Sequence, residues 1–288
     1  MKKVFAAFCF VALSGCSEPN QSTEVEAREP VSYEMPRTQI APIQDSKTDR
    51  QYELYIKLPE GYSDNTDIEY PVIYTTDAVW HFDMLSGATE YLMPDVILVG
   101  ISWQKDLDAE EEFTSRFRDY TVTEFRDPEN QAKYQGGQAS NHLSFIRDDV
   151  IKYIENNYRT DSGERTYLGY SLGGAFGAYA LLAEPDTFKN YILGSPALGK
   201  RSAKYIDELE AKMAAQQQEL NANAFVSIGE LEESEMGITE DLLSVLQRRS
   251  QSGLTITGLE IIEDSDHGGA FPETIIRGVK WLSQLKSE

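Results

Sequence analysis

Apolar residues recur along the chain with two periods. Tyr52, Leu54, Ile56 and Leu58 alternate with polar or smaller residues, the period of a half-buried strand. With Thr38 to Ile43 before it and the polar turn Asp45 to Asp49 between, Arg50 to Pro59 completes an edge hairpin. Pro71 to Asp77 reads as a buried strand entering a loop that begins Ala78-Val79-Trp80-His81-Phe82. Asp95 to Ser102 is almost continuously apolar, the signature of a parallel strand covered on both faces. Residues 103–137 then carry charges and aromatics with little periodicity. A stretch so long without elements inside a domain is a candidate cap over a site. From Asn141 to Tyr158 the period changes: Leu143, Ile146, Val150 and Ile154 fall at three- and four-residue steps. They predict an amphipathic helix capped by Ser140 or Asn141, with His142 facing solvent.

Beyond Tyr158 short apolar runs alternate with helical stretches. Strands are predicted at Arg165 to Tyr170, Asn190 to Ser195, Ala224 to Gly229 and Leu254 to Ile262. Helices are predicted from Leu172 to Ala183, Ser202 to Leu220, Thr239 to Ser250 and Phe271 to Leu285, the last with Pro272 in its first turn. The count is eight strands, the first two antiparallel. Alternating strands and helices specify an α/β class, a mostly parallel sheet with helices on both faces.

Composition adds two constraints. The 288 residues suffice for one large α/β domain. The balance of 26 basic and 48 acidic residues, net −22, with no polybasic cluster, argues against nucleic acid as a partner. At the N-terminus Lys2 and Lys3 precede the apolar run Val4 to Leu13, too short to span a bilayer comfortably. The run ends in Leu-Ser-Gly-Cys at 13–16, which resembles a bacterial lipobox. The expectation is a lipoprotein signal at 1–15 and a lipid on Cys16, anchoring the protein to a membrane, with Ser17 suggesting outer-membrane sorting in the periplasm. Residues 16–37 are rich in Glu, Pro, Ser and Thr and read as a flexible tether to a domain at 38–288. Cys9 leaves with the signal, so no intramolecular disulfide is available.

Candidate chemistry centres on Gly169-Tyr170-Ser171-Leu172-Gly173, a Gly-x-Ser-x-Gly between a strand and a helix. This is the sequence form of a nucleophile elbow, whose sharp turn excludes bulk on either side of the serine. A serine hydroxyl needs a base to take its proton. Of the chain's three histidines, His267 is the best candidate because it follows the last strand, and catalytic groups collect at the carboxyl ends of parallel strands. An acid must orient that base. The segment Gly229 to Glu235 after the seventh strand offers Glu232, with Glu230 and Glu233 as alternatives. The backbone N–H of Leu172, next to the nucleophile, is one expected oxyanion donor, and the loop after the third strand should supply the other. Trp80 and His81 in that loop are candidates to line the site.

The chain resembles the esterase D-like branch of the α/β-hydrolases, and within it the bacterial siderophore esterases that open enterobactin- and salmochelin-type trilactones. The resemblance covers residues 38 to 285. It rests on Tyr-Pro-Val-Ile-Tyr-Thr-Thr-Asp (70–77), Val-Gly-Ile-Ser (99–102), Arg-Phe-Arg-Asp-Tyr-Thr (116–121) and Gly-Gly (136–137). It continues through Tyr-Arg-Thr-Asp (158–161), Gly-Tyr-Ser-Leu-Gly-Gly (169–174), Gly-Ser-Pro (194–196), Asp-His-Gly (266–268) and Arg-Gly-Val-Lys-Trp-Leu (277–282). The resemblance implies an α/β-hydrolase fold, a small-molecule ester substrate, an acyl-enzyme on Ser171, and the N–H of Val79 as second oxyanion donor. It implies no metal or organic cofactor. Arg116 and Arg118 would give an anionic substrate a local positive patch, or else, for Arg118, pair with Asp119. Two departures stand out: Asp77-Ala78 where the family usually has Asp-Gly, and Ala197 to Lys200 where it often has a serine and a nearby tryptophan. Three other readings share the fold: hydrolysis of a non-siderophore acyl or carbohydrate ester, acyl transfer to an acceptor other than water, and an inactive ligand-binding lipoprotein.

Overall fold

In the computed structural model, residues 32–64 and 66–285 are described. The expected lipoprotein signal, Cys16 and most of the expected tether lie outside them. The eight strands are β1 (Thr38–Gln44), β2 (Gln51–Lys57), β3 (Tyr70–Thr75), β4 (Ile97–Ile101), β5 (Thr160–Tyr170), β6 (Asn190–Gly194), β7 (Ala222–Gly229) and β8 (Leu254–Ile262). They form one sheet in the order β1-β2-β4-β3-β5-β6-β7-β8. β1 and β2 make the expected antiparallel hairpin, and β2 also runs against β4. From β4 through β8 every pairing is parallel.

Side chains one residue apart on a strand point to opposite faces, and here they sort into two cores. Val72 and Tyr74, Ile97 and Val99, Tyr167, Tyr191 and Leu193, and Ala224 and Val226 enter one core. Their neighbours Ile73, Leu98, Leu168, Ile192 and Phe225 enter the other. Because both faces are covered, β4 and β6 are buried at every residue, which is why they read as unbroken apolar runs.

The helices depart further from expectation. Ala78 to Phe82 opens a 15-residue helix, α1 (Ala78–Leu92), not a loop. Its buried face includes His81, Ser86 and Thr89 beside Phe82 and Leu85, so the apolar stripe is broken by polar side chains that the fold nevertheless covers. The aperiodic segment 103–137 holds α2 (Ala109–Tyr120) and α3 (Pro128–Tyr134). Asp108 caps α2 by accepting from the N–H groups of Glu110 and Glu111 at 3.0 and 2.9 Å. The residues α2 buries are Ser115, Arg116, Arg118, Asp119 and Tyr120, four of them polar or charged, and no hydrophobic period marks such a helix.

The predicted helix at 141–158 is α4 (Ala139–Phe145), a π-helical turn (Ile146–Val150) and α5 (Ile151–Asn157) in succession. It starts two residues early, and neither Ser140 nor Asn141 caps it. His142 does not face solvent. It lies one turn before Ile146 on the buried side, 3% exposed, among the rings of Tyr52, Tyr120, Phe145 and Phe176. The remaining helices are α6 (Leu172–Ala183), α7 (Lys200–Ala215), α8 (Glu233–Gln247) and α9 (Ala270–Leu285). α7 starts two residues before the predicted Ser202 and ends five short of Leu220; α8 starts six residues before Thr239, placing Glu233 and Glu235 in its first turn, where the helix dipole favours acid.

Candidate active site

The elbow is built from two glycines and a strained serine. β5 ends at Tyr170 and α6 begins at Leu172, leaving Ser171 alone to reverse the chain at φ 58° and ψ −121°. A non-glycine residue at positive φ carries strain that its surroundings must hold. A Cβ on residue 169 would sit 2.3 Å from the Gly173 carbonyl oxygen, and one on residue 173 would sit 2.6 Å from Thr76 Oγ1. Those contacts leave glycine as the only residue for both places. The Ser171 N–H donates to the Gly194 carbonyl at 3.0 Å, and its carbonyl accepts from Ala175 and Ala197.

Three strand ends converge beside it. Glu232, 5% exposed, follows β7 and precedes α8. Its Oε2 lies 2.5 Å from Nδ1 of His267, in the turn after β8. Its Oε1 accepts from the Gly229 N–H at 2.9 Å and the Ser195 hydroxyl at 2.7 Å. Of the three candidate acids the fold brings Glu232 to His267. Glu230 instead accepts from the Asp264 N–H, and Glu233 is exposed in α8. An ionised carboxylate only accepts, so Nδ1 carries the proton and Nε2 is left with its lone pair. Tyr170, the residue before the serine, donates its hydroxyl to the His267 carbonyl at 2.6 Å, its ring 5.1 Å from the imidazole. Burial pushes the Tyr170 phenol up, against the opposing effect of the Ser195 hydroxyl 2.9 Å away, so it stays a neutral donor. The Ser171 hydroxyl is not hydrogen-bonded to His267 among the described residues, a looseness usual before substrate is held.

The other wall is the junction of β3 and α1. Leu172 is the first residue of α6 and Val79 the second of α1, so both N–H groups belong to helix starts without intrahelical partners. Tyr167 ties the two starts together: its hydroxyl donates to the Gly173 carbonyl at 2.8 Å and lies 2.9 Å from Thr76 Oγ1. Trp80 is half-exposed at this rim, edge-on to Trp103 at 4.8 Å. His81 is buried against Phe271 and Tyr170 and does not open to solvent. The arginines offer no free positive patch. Arg116 forms a bidentate pair with Asp77 at 2.8 and 2.7 Å, and Arg118 forms one with Asp119 at 2.8 and 2.9 Å; all four are buried. Each guanidinium meets its carboxylate fork to fork, which offsets the cost of desolvating the charges.

Three residues here escaped the sequence reading as site residues: Ser195, Tyr170 and Asp77. Ser195 and Asp77 sit at positive φ, 37° and 55°. Their signal was position, a polar residue directly after a buried parallel strand, which the Gly-Ser-Pro and Thr-Thr-Asp runs both display.

The Esterase family model, described as "Putative esterase", matches residues 46–242. Ferri-bacillibactin esterase BesA of Bacillus subtilis (strain 168) is 30% identical over 181 residues, 58% of this chain and 61% of that protein's own length. Among solved structures, the BES protein from Bacillus cereus superposes with a TM-score of 0.77 at 21% identity, over 89% of this chain and 98% of its own. An IroE-like serine hydrolase from Shewanella oneidensis gives a TM-score of 0.72 at 22% identity, over 86% and 80%. These last two likenesses establish the fold.

Proposed function

The chain belongs to the Esterase family, and from that premise we propose that it is a serine carboxylic-ester hydrolase working through an acyl-enzyme. The observation that carries the reading is the Glu232–His267 hydrogen bond beside a serine held at an elbow. In this mechanism Nε2 of His267 takes the proton of Ser171 as Oγ attacks the ester carbonyl. Glu232 fixes the ring and stabilises its cation. The N–H groups of Leu172 and Val79 receive the oxyanion. Collapse of the tetrahedral adduct expels the alcohol with the proton from His267, and water repeats the cycle on the acyl-enzyme.

The substrate class we propose is a siderophore trilactone or a related small ester. BesA is named for ferri-bacillibactin, and it is 30% identical where it matches. For location we propose a periplasmic lipoprotein anchored through Cys16; a Cys16→Ser variant should then leave the membrane fraction. The catalytic reading is tested by Ser171→Ala. Expected is unchanged circular dichroism, loss of fluorophosphonate labelling, and a fall of roughly 10³-fold or more in kcat/KM on p-nitrophenyl acetate. Full activity in that variant would overturn it. A panel of p-nitrophenyl acyl esters beside ferric and metal-free trilactones, read as kcat/KM, tests the substrate.

A further inference from the structure

Asp77 occupies the N-cap of α1 but does not cap it. An N-cap aspartate ordinarily turns its carboxylate onto the second or third N–H of the helix, here Val79 or Trp80. In this chain the carboxylate is drawn the other way. Oδ1 accepts from Trp103 Nε1 at 2.6 Å and Arg116 Nε at 2.8 Å, and Oδ2 accepts from Arg116 Nη2 at 2.7 Å. Its backbone is held as well: the N–H faces the Tyr120 hydroxyl at 3.4 Å, and the carbonyl takes the N–H groups of both Trp80 and His81. Asp77 is fully buried at φ 55°, ψ 41°, a conformation that costs a non-glycine residue free energy. That conformation is held by the contacts its carboxylate and backbone make.

We infer that Arg116, with Trp103, is a positioning residue of the oxyanion hole: it holds the Asp77 carboxylate away from the start of α1, keeping the Val79 N–H open for a substrate oxygen and neutralising a carboxylate that would repel the oxyanion. This rests on the serine-esterase reading and deepens it. The cluster reaches the nucleophile by a short route. A Cβ placed on Gly173 would lie 3.6 Å from Asp77 Oδ2, so the carboxylate stands beside the first turn of α6. Released from Arg116, the carboxylate loses its fixed direction, and the Val79 N–H, second of the helix, is a donor that an N-cap side chain ordinarily takes once its backbone relaxes toward the extended region. Arg116 itself lies over the Trp80 ring at 5.1 Å, which fixes the guanidinium from its other side.

The test uses the full chain and three variants: Arg116→Met, Arg116→Lys, and Arg116→Met combined with Asp77→Gly. Each is assayed on p-nitrophenyl acetate and titrated with phenylboronic acid, whose serine adduct mimics the tetrahedral intermediate. For Arg116→Met, kcat should fall about 100-fold, the loss typical of one oxyanion donor, with KM little changed and boronate affinity falling in parallel. Arg116→Lys, which keeps charge but not the fork, should fall between wild type and Arg116→Met. The double variant removes the carboxylate and gives glycine to the positive-φ position, so it should recover at least tenfold in kcat over Arg116→Met. Unchanged kcat and boronate affinity in folded Arg116→Lys and Arg116→Met, or no recovery in the double variant, would overturn the inference. If wild type neither hydrolyses the ester nor takes a fluorophosphonate, it is the esterase reading that has failed.

Discussion

The Glu232 carboxylate is held by three donors, and they differ in what they can lose. The Gly229 N–H is backbone and fixed by β7; the His267 ring is the group to be positioned; the Ser195 hydroxyl is the one removable support. A hydrogen bond to a charged acceptor contributes roughly 1.5–3 kcal/mol. Ser195→Ala should therefore cost kcat on p-nitrophenyl acetate about tenfold, ~1.4 kcal/mol of transition-state stabilisation, while KM stays within about twofold. An unchanged kcat would show that Gly229 alone positions the acid. Ser171, His267 and Glu232 each stood out because the chain puts a polar residue in a strand-end loop where ligands gather. Ser195 occupies the same kind of place, but its role is a partnership with a residue 37 positions later, and no local pattern encodes that.

Among elements, the sharpest contrast is between two helical glycines. α6 is buried from Gly173 to Leu182 on every side. A Cβ at residue 177 would meet Leu193 Cδ2 and Tyr167 Cε1 at 2.5 Å, whereas one at residue 237 in α8 meets nothing within 4 Å. Alanine is favoured over glycine in a helix interior by about 1 kcal/mol. Gly237→Ala should gain a good part of that, raising the urea midpoint, while Gly177→Ala should lose about 1–3 kcal/mol to overpacking. Equal midpoints in the two variants would sink this account of how α6 approaches the sheet. The same pair shows what the sequence displayed. Strands were readable because burial on two faces leaves an apolar run, as in β4 and β6. The small-residue face of α6 was readable for a related reason. α2 was hidden, since a helix whose buried face carries Arg116 paired with Asp77, and Arg118 and Asp119 paired with each other, has no apolar period to find. α1 was hidden because His81, Ser86 and Thr89 interrupt its buried face.

At the scale of the whole molecule, two of the three histidines are sealed into opposite faces of the sheet, His81 on α1 and His142 on α4. Each has a buried ring nitrogen without a hydrogen-bond partner among the described residues, Nδ1 of His81 and Nε2 of His142. Burial lowers both from the usual 6.5, outweighing the carboxylates nearby, Asp77 for His81 and Asp119 for His142; Arg116 and Arg118 add to the lowering. The sign follows from which state binds the proton. Above 6.5 neither state is protonated and the folded protein has its full stability. As pH falls below 6.5 the unfolded chain takes up protons that the folded chain refuses, so stability drops by about 1.4 kcal/mol per pH unit for each histidine, until the folded value is reached. The net charge of −22 works in the opposite direction, since protonating unpaired carboxylates relieves repulsion within the folded state. The wild-type curve is the sum of the two, and a variant separates them. His142 stands among four aromatic rings, and Asp119 keeps Arg118 and the Tyr52 hydroxyl as partners without it. In His142→Phe the folding free energy from urea unfolding at pH 7.5, 6.5 and 5.5 should therefore fall less steeply than in wild type, by up to about 1 kcal/mol between the last two points. Parallel curves for the two proteins would mean that His142 titrates alike in the folded and unfolded chains, and that its burial does not govern acid stability.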